Sequence, residues 1–165
     1  MNILFVNYGD FTTNSLNHIG GFANALSAQG HACVVAVPSG KDSLTTVPNP
    51  AFTAALYNDL LERPAFFPDR RTADVIHAWT PREFVRKFVV SYQRIAEKSA
   101  RLVVHLEDNE EYLISGYAKR PIMELRAMGF EELDTVMSDR LPHPLRYHTF
   151  LRLADAVTVI VRSLR

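Results

Sequence analysis

Short apolar runs without alternation recur along the chain, and between them apolar residues return every three or four positions. Asn2 to Val6, Ala32 to Val37, Val75 to Trp79, Leu102 to Leu106 and Ala156 to Val161 are the runs. A run without alternation suits a strand buried on both faces, as in a parallel sheet. Ser15 to Gln29 carries Leu16, Ile19, Phe22, Ala23 and Leu26 at helical spacing, and Gly30 follows as a left-handed helix end. Thr80, Pro81 and Glu83 read as cap, first helical residue and capping-box partner. The helix they open has Phe84, Val85, Phe88, Val89, Tyr92, Ile95 and Ala96 as its buried stripe. Phe52 to Tyr57 reads as a further strand and Asn58 to Arg63 as a short helix. Asp108 and Glu111 have capping spacing, and 112–154 reads as helical, punctuated by Pro121, Gly129, Pro142 and Pro144.

Strand and helix alternating in this way predict an α/β fold: a Rossmann-like, doubly wound parallel sheet in a single domain over 1–165. About six or seven strands are expected, with the first one central. Ligands of such sheets bind beyond the carboxyl ends of the strands. Here those ends are Asn7 to Asp10, His77 to Thr80 and Glu107 to Asn109.

Composition narrows the function classes. The 165 residues are 47% hydrophobic, with 18 Lys plus Arg against 18 Asp plus Glu. A formal net charge of zero argues against a nucleic-acid binder, which ordinarily carries a basic excess. A single cysteine, Cys33, excludes an internal disulfide and a cysteine-rich metal site. It sits in an apolar run and reads as a small buried hydrophobe. No stretch approaches a membrane span, and Met1 to Val6 has no basic leader. A cytoplasmic location is expected, with the membrane surface open.

The turn after the first run lacks G-x-G-x-x-G, and no P-loop or G-x-S-x-G elbow occurs. No His pair has zinc-ligand spacing, so no metal is expected. Gly20-Gly21 reads as a pair near a helix N-terminus, whose backbone N–H groups suit a phosphate or diphosphate. His18 lies close to it and is a further phosphate candidate. His77 ends a strand at the cleft edge, as a functional group or a half-buried hydrogen-bonded histidine. Trp79 offers a face for a sugar ring, or packs under the following helix. His105, inside a run, reads as a satisfied core histidine. Glu107 has no evident structural partner and is the strongest acid for acceptor hydroxyls. Asp108 reads as a helix cap. Asn109 ends the same strand, and Asp10 and Asn14 lie in the first loop. These loops leave one edge of a parallel sheet, so Gly20, Gly21, His77, Trp79 and Glu107 are expected on one open rim.

Three segments together resemble the N-terminal domain of GT-B glycosyltransferases of the retaining family-four type. They are Asn2 to Val6 with Gly20-Gly21, Leu26 and Gly30-His31; Ala73-Asp74-Val75-Ile76-His77-Ala78-Trp79-Thr80-Pro81; and Leu151 to Leu164 with Ala154-Asp155-Ala156-Val157-Thr158-Val159. The chain departs from that family at Trp79, where a second His is common, and at Glu107-Asp108, where many relatives have His-Asp. The resemblance implies transfer of a sugar from a nucleotide-sugar donor to an acceptor hydroxyl of a glycan or glycolipid, with no cofactor and no required metal. It implies Glu107 and His77 as catalytic candidates. Gly20, Gly21 and His18 would lie near the donor phosphates, and Trp79, Asp10 and Asn109 on the acceptor. It also implies a second, donor-binding domain beyond these residues, so that 1–165 alone turns over no donor. Family members often dock on membranes by basic faces, and Arg82, Arg86 and Lys87 form a candidate face. The alternative is a stand-alone Rossmann-like module that binds a nucleotide or sugar without catalysis.

Overall fold

Why the apolar runs become strands is visible in the computed structural model, which describes residues 1–160. Every residue of β1 (Asn2–Asn7) is buried. A strand with no solvent face needs neighbours on both sides and helices on both faces. It pairs in parallel with β2 (Ala32–Val37) and with β4 (Val75–Trp79). β3 (Thr53–Leu56) extends one side, and β5 (Arg101–Leu106) and β6 (Ala156–Val159) the other. The order β3-β2-β1-β4-β5-β6 makes one six-stranded, all-parallel sheet, with β1 in its middle. This is the Rossmann-like α/β architecture expected from the sequence. The sequence also suggests that the last strand runs to Val161, which lies outside the described residues.

Two cores flank the sheet. Helix α1 (Asn14–Ala28) lays Leu16, Ile19 and Ala23 on one face, against Ile3, Phe5, Cys33, Val35 and Trp79. It ends in a Schellman arrangement. Gly30, at φ 84°, donates to the Ser27 carbonyl at 2.9 Å, and His31 donates to that of Leu26 at 3.1 Å. The other face carries α2 (Tyr57–Glu62), α3 (Glu83–Ile95) and α7 (Tyr147–Leu153), through Leu60, Val85, Phe88, Val89, Tyr92 and Phe150. Between β5 and α7, the short helices α4 (Glu110–Ala118), α5 (Ile122–Ala127) and α6 (Phe130–Val136) gather around Ile114, Leu125, Leu133 and Tyr147. Among the described residues no helix is long and apolar enough to cross a membrane.

Three expectations about helix starts are corrected. α3 starts at Glu83 with Arg82 in the cap position, so Thr80 and Pro81 lie before the helix. Glu83 instead accepts both arms of Arg86 at 2.7 Å and meets Arg146 at 3.3 Å. A buried carboxylate gains more from guanidinium partners than from one backbone amide. α4 is capped by Asn109, whose side chain accepts from the Tyr112 amide at 3.1 Å, and not by Asp108. Gly20 and Gly21 are in the middle of α1, because the helix begins at Asn14. Only the first turn of a helix has free amides, so the pair has no spare backbone donors.

Tyr92 fixes the crossover into β4. Its hydroxyl accepts from the Ala73 amide at 3.0 Å and donates to the Pro64 carbonyl at 3.1 Å. Tyr92→Phe strands both groups in a buried place and is expected to cost about 1–3 kcal/mol. Urea unfolding reads this as a lower midpoint with an unchanged slope, and an unchanged midpoint would refute the role.

Candidate functional site

The strand order reverses between β1 and β4, and the crevice beyond their carboxyl ends is the expected ligand site of such a sheet. A cavity of about 640 Å³ lies there, a size ordinary for small-molecule sites. Tyr8, Gly9, Asp10 and Thr13 of the β1–α1 loop form one wall, Pro38 and Ser39 after β2 another. Arg82 and Phe84 after β4, with Asp139 and Arg140 before α7, complete it.

The β1–α1 loop is held from beneath. Asn7, wholly buried, donates its side-chain amide to the Gly9 carbonyl at 3.0 Å, the Asp10 carbonyl at 3.0 Å and Thr13 Oγ1 at 2.9 Å. Asp10 accepts from the Thr12 hydroxyl and amide, which hold its carboxyl below the usual range. The Arg82 guanidinium lies 4.1 Å from the centre of the Tyr8 ring and donates to the Arg140 carbonyl at 2.7 Å. The cavity therefore presents fixed carboxylates, guanidinium groups, a serine and a phenol close together.

Behind the cavity, the α1 side of the sheet gathers most of the sequence candidates. Register places Phe5 beside His77, Asn7 beside Trp79, and Trp79 beside His105. The Trp79 ring stands 4.8 Å from His77, 4.0 Å from His105 and 6.0 Å from Phe22 of α1. Trp79 is only 1% exposed, so it offers no open face for a sugar ring. It packs on the α1 side and not under α3, because its register position faces that way. Its Nε1 donates to Glu107 Oε1 at 2.7 Å, and Ser15 Oγ donates to Glu107 Oε2 at 2.5 Å. Glu107 thus has the structural partners that sequence reading did not find: it ties the ends of β4 and β5 to the start of α1.

His105 is satisfied by Thr158 Oγ1 at 2.8 Å, and burial lowers its pKa. His18 is exposed on α1, near enough for its charge to lower His105 further. His77 is half-buried, and its Nε2 has no partner. Burial first, and His105 second, depress its pKa to about 4, so it is neutral at physiological pH.

The expected single rim is only partly formed. His77, Trp79 and Glu107 come together, and Asp10 lines the cavity. Asn109 serves its helix. Gly20 and Gly21 line a separate pocket of about 160 Å³ with Asn17, Asn24 and Thr46. A helix of 3.6 residues per turn sends Ser15 and Phe22 toward β4 and β5 and the glycine pair elsewhere. The basic face is not free charge either: Arg86 is bonded to Glu83, and Lys87 to Asp139 at 2.7 Å. Among the described residues no group of three or more His, Cys, Asp or Glu is placed to hold a metal ion.

Sequence reading missed Glu110. It is 6% exposed, and neither carboxyl oxygen has a partner. Burial raises its pKa to about 7; the charge of Arg82 opposes this, and Asp108 and Glu107 add to it. Arg82 Nε, Thr80 Oγ1 and Asn7 Oδ1 are also buried without partners. Buried polar atoms without a protein partner are thus concentrated at the ends of β1, β4 and β5. The available signal was position alone: Glu110 opens α4, in the loop region just beyond the end of β5.

Comparison with known proteins yields no matching family model and no matching curated protein.

His77 and Glu110 set opposed pH slopes. Glu110, raised from 4.5 to about 7 on folding, contributes stability that is present below pH 4.5 and lost as pH rises through about 7. His77, lowered from 6.5 to about 4, contributes stability present above pH 6.5 and lost as pH falls through about 4. In the wild type these slopes largely cancel. Relative to the wild type, Glu110→Gln is expected to make stability rise more steeply with pH across that window, and His77→Phe to make it rise less, each by on the order of 2–3 kcal/mol. Urea unfolding at a series of pH values measures both. Variants with the same pH profile as the wild type would contradict the burial-driven shifts.

Proposed function

We propose that the chain is the acceptor-side half of a glycosyltransferase that moves a sugar from a nucleotide-sugar donor to an acceptor hydroxyl, in glycan or glycolipid synthesis. The cavity at the β1–β4 switch point carries this reading. Asp10, Asp139, Ser39, Tyr8, Arg82 and Arg140 set hydrogen-bond acceptors and donors side by side around an open space. A polyhydroxylated ligand, each of whose hydroxyls both gives and takes a hydrogen bond, matches such a wall. The three segments that resemble the family-four domain run through β1 and α1, β4, and β6, and β1 and β4 frame this crevice.

On this reading the acceptor occupies the cavity, and the donor is held mainly by a second domain. Glu107 and His77 stand behind the acceptor and not against it. The donor-phosphate role of Gly20 and Gly21 is not carried forward, since their amides lie within α1. Catalysis then rests on positioning the acceptor and on stabilising the departing diphosphate from the other domain.

Residues 1–165 titrated with glucose, mannose and galactose, followed by amide NMR, are expected to show shifts at Tyr8, Asp10 and Arg82, and no turnover of nucleotide sugars. Arg82→Ala should weaken saccharide binding about ten- to a hundred-fold, the loss of a charge-assisted hydrogen bond. A coding sequence that continues for a further domain would support the transferase. A stop after codon 165, with saccharide binding intact, would favour the binding module. Absence of any saccharide binding would sink the acceptor reading of the cavity and leave only a nucleotide-binding module.

A further inference from the structure

A hydrogen-bond chain leads from the half-buried carboxylate of Glu107 to Tyr8 in the cavity wall, and its direction is fixed. A carboxylate only accepts. Trp79 Nε1 supplies Oε1 at 2.7 Å, and Ser15 Oγ approaches Oε2 at 2.5 Å. A serine hydroxyl has one proton, and the short contact to the carboxylate takes it. Ser15 Oγ also lies 3.2 Å from the Tyr8 hydroxyl. With its own proton committed, Ser15 is the acceptor there, and Tyr8 is the donor. The phenol proton therefore points inward, and the remaining lone pair of the Tyr8 oxygen is what it can offer a ligand. Tyr8 lines the 640 Å³ cavity, its ring held under the Arg82 guanidinium.

We propose that Tyr8 is a specificity-determining residue of this cavity. Its phenol oxygen accepts a hydrogen bond from one hydroxyl of a bound saccharide, with Ser15 and Glu107 as the positioning residues that set its polarity. This rests on the saccharide reading of the cavity. The polarity has a consequence at Glu107. A glutamine there still accepts from Trp79 through its oxygen, but its NH₂ donates to Ser15. Ser15 then donates to Tyr8, and the phenol proton turns toward the ligand. Glu107→Gln thus converts Tyr8 from an acceptor to a donor without changing the shape of the site.

Deoxyfluoro sugars test this, because a C–F group cannot donate. Glucose, mannose and galactose are titrated first into wild-type residues 1–165, followed by the deoxyfluoro analogues of whichever binds. One fluorinated position is expected to bind the wild type about two- to ten-fold more weakly than its parent, the worth of one neutral hydrogen bond. That gap should close in Tyr8→Phe; in Glu107→Gln it persists through the reversed bond, because a donating phenol is received by a hydroxyl and only poorly by fluorine. The indole N–H resonance of Trp79, the only tryptophan, checks folding in each variant and should move in Glu107→Gln, where its charged partner becomes neutral. An undiminished gap in Tyr8→Phe, no gap at any position in the wild type, or an unmoved indole resonance in Glu107→Gln would overturn the proposal while leaving saccharide binding standing. A wild type that binds none of the three parent sugars would instead remove the saccharide reading, and this proposal with it.

Discussion

The fold depends on one fully buried strand closed at both ends by asparagine. β1 has no exposed residue, so its polar termini must be satisfied by protein. At its start, Asn2 donates to Asp69 Oδ1 at 2.9 Å and to the Thr72 carbonyl at 3.2 Å, and its amide donates to Asp74 Oδ2 at 2.9 Å. That anchors the entry into β4. At its end, Asn7 gathers the β1–α1 loop, while its carbonyl accepts the Tyr57 hydroxyl at 2.6 Å. Tyr57 opens α2, so one residue binds a loop from one face and a helix from the other. The walls of the cavity inherit their rigidity from these bonds.

The carboxyl edge of the sheet is divided into two environments. On the α1 side, stacked rings and a carboxylate with both oxygens engaged make a rigid aromatic block. Toward α3 and α4, buried polar atoms of Asn7, Thr80, Arg82 and Glu110 remain without partners. Leaving such groups unsatisfied is costly, and a fold optimised only for stability would fill or remove them. Tyr8 belongs to both, since it touches Ser15 on one side and Arg82 on the other.

Around α3 the surface charges are paired within the molecule. Glu83 joins Arg86 and Arg146, Asp134 takes both arms of Arg146 at 2.6 and 2.8 Å, and Asp139 takes Lys87. These pairs stitch α3 to the segment that carries α6 and α7. The half-exposed Lys87–Asp139 pair contributes little to stability. Its effect is to orient the Asp139–Arg140 turn that closes the cavity.

The alternation of unbroken apolar runs with amphipathic stretches determined the parallel sheet, its central first strand and the edge at which a site belongs. That followed because burial on both faces and helical periodicity are local properties, written in consecutive residues. Cys33 in its run and His105 in its strand were legible for the same reason. The partners of Glu107 were not, because Ser15 lies 92 positions away and Trp79 28 positions away in the chain. Nor were the caps of α3 and α4: the competition between Glu83 and its guanidinium partners involves Arg146, far beyond the helix start. The glycine pair, which reads from the sequence as lying near a helix N-terminus, is six residues into a helix that begins at Asn14. Tertiary structure alone decided which side chains at the common edge turn into the cavity and which into the core, because that choice is made by register and helix phase between segments, not within them.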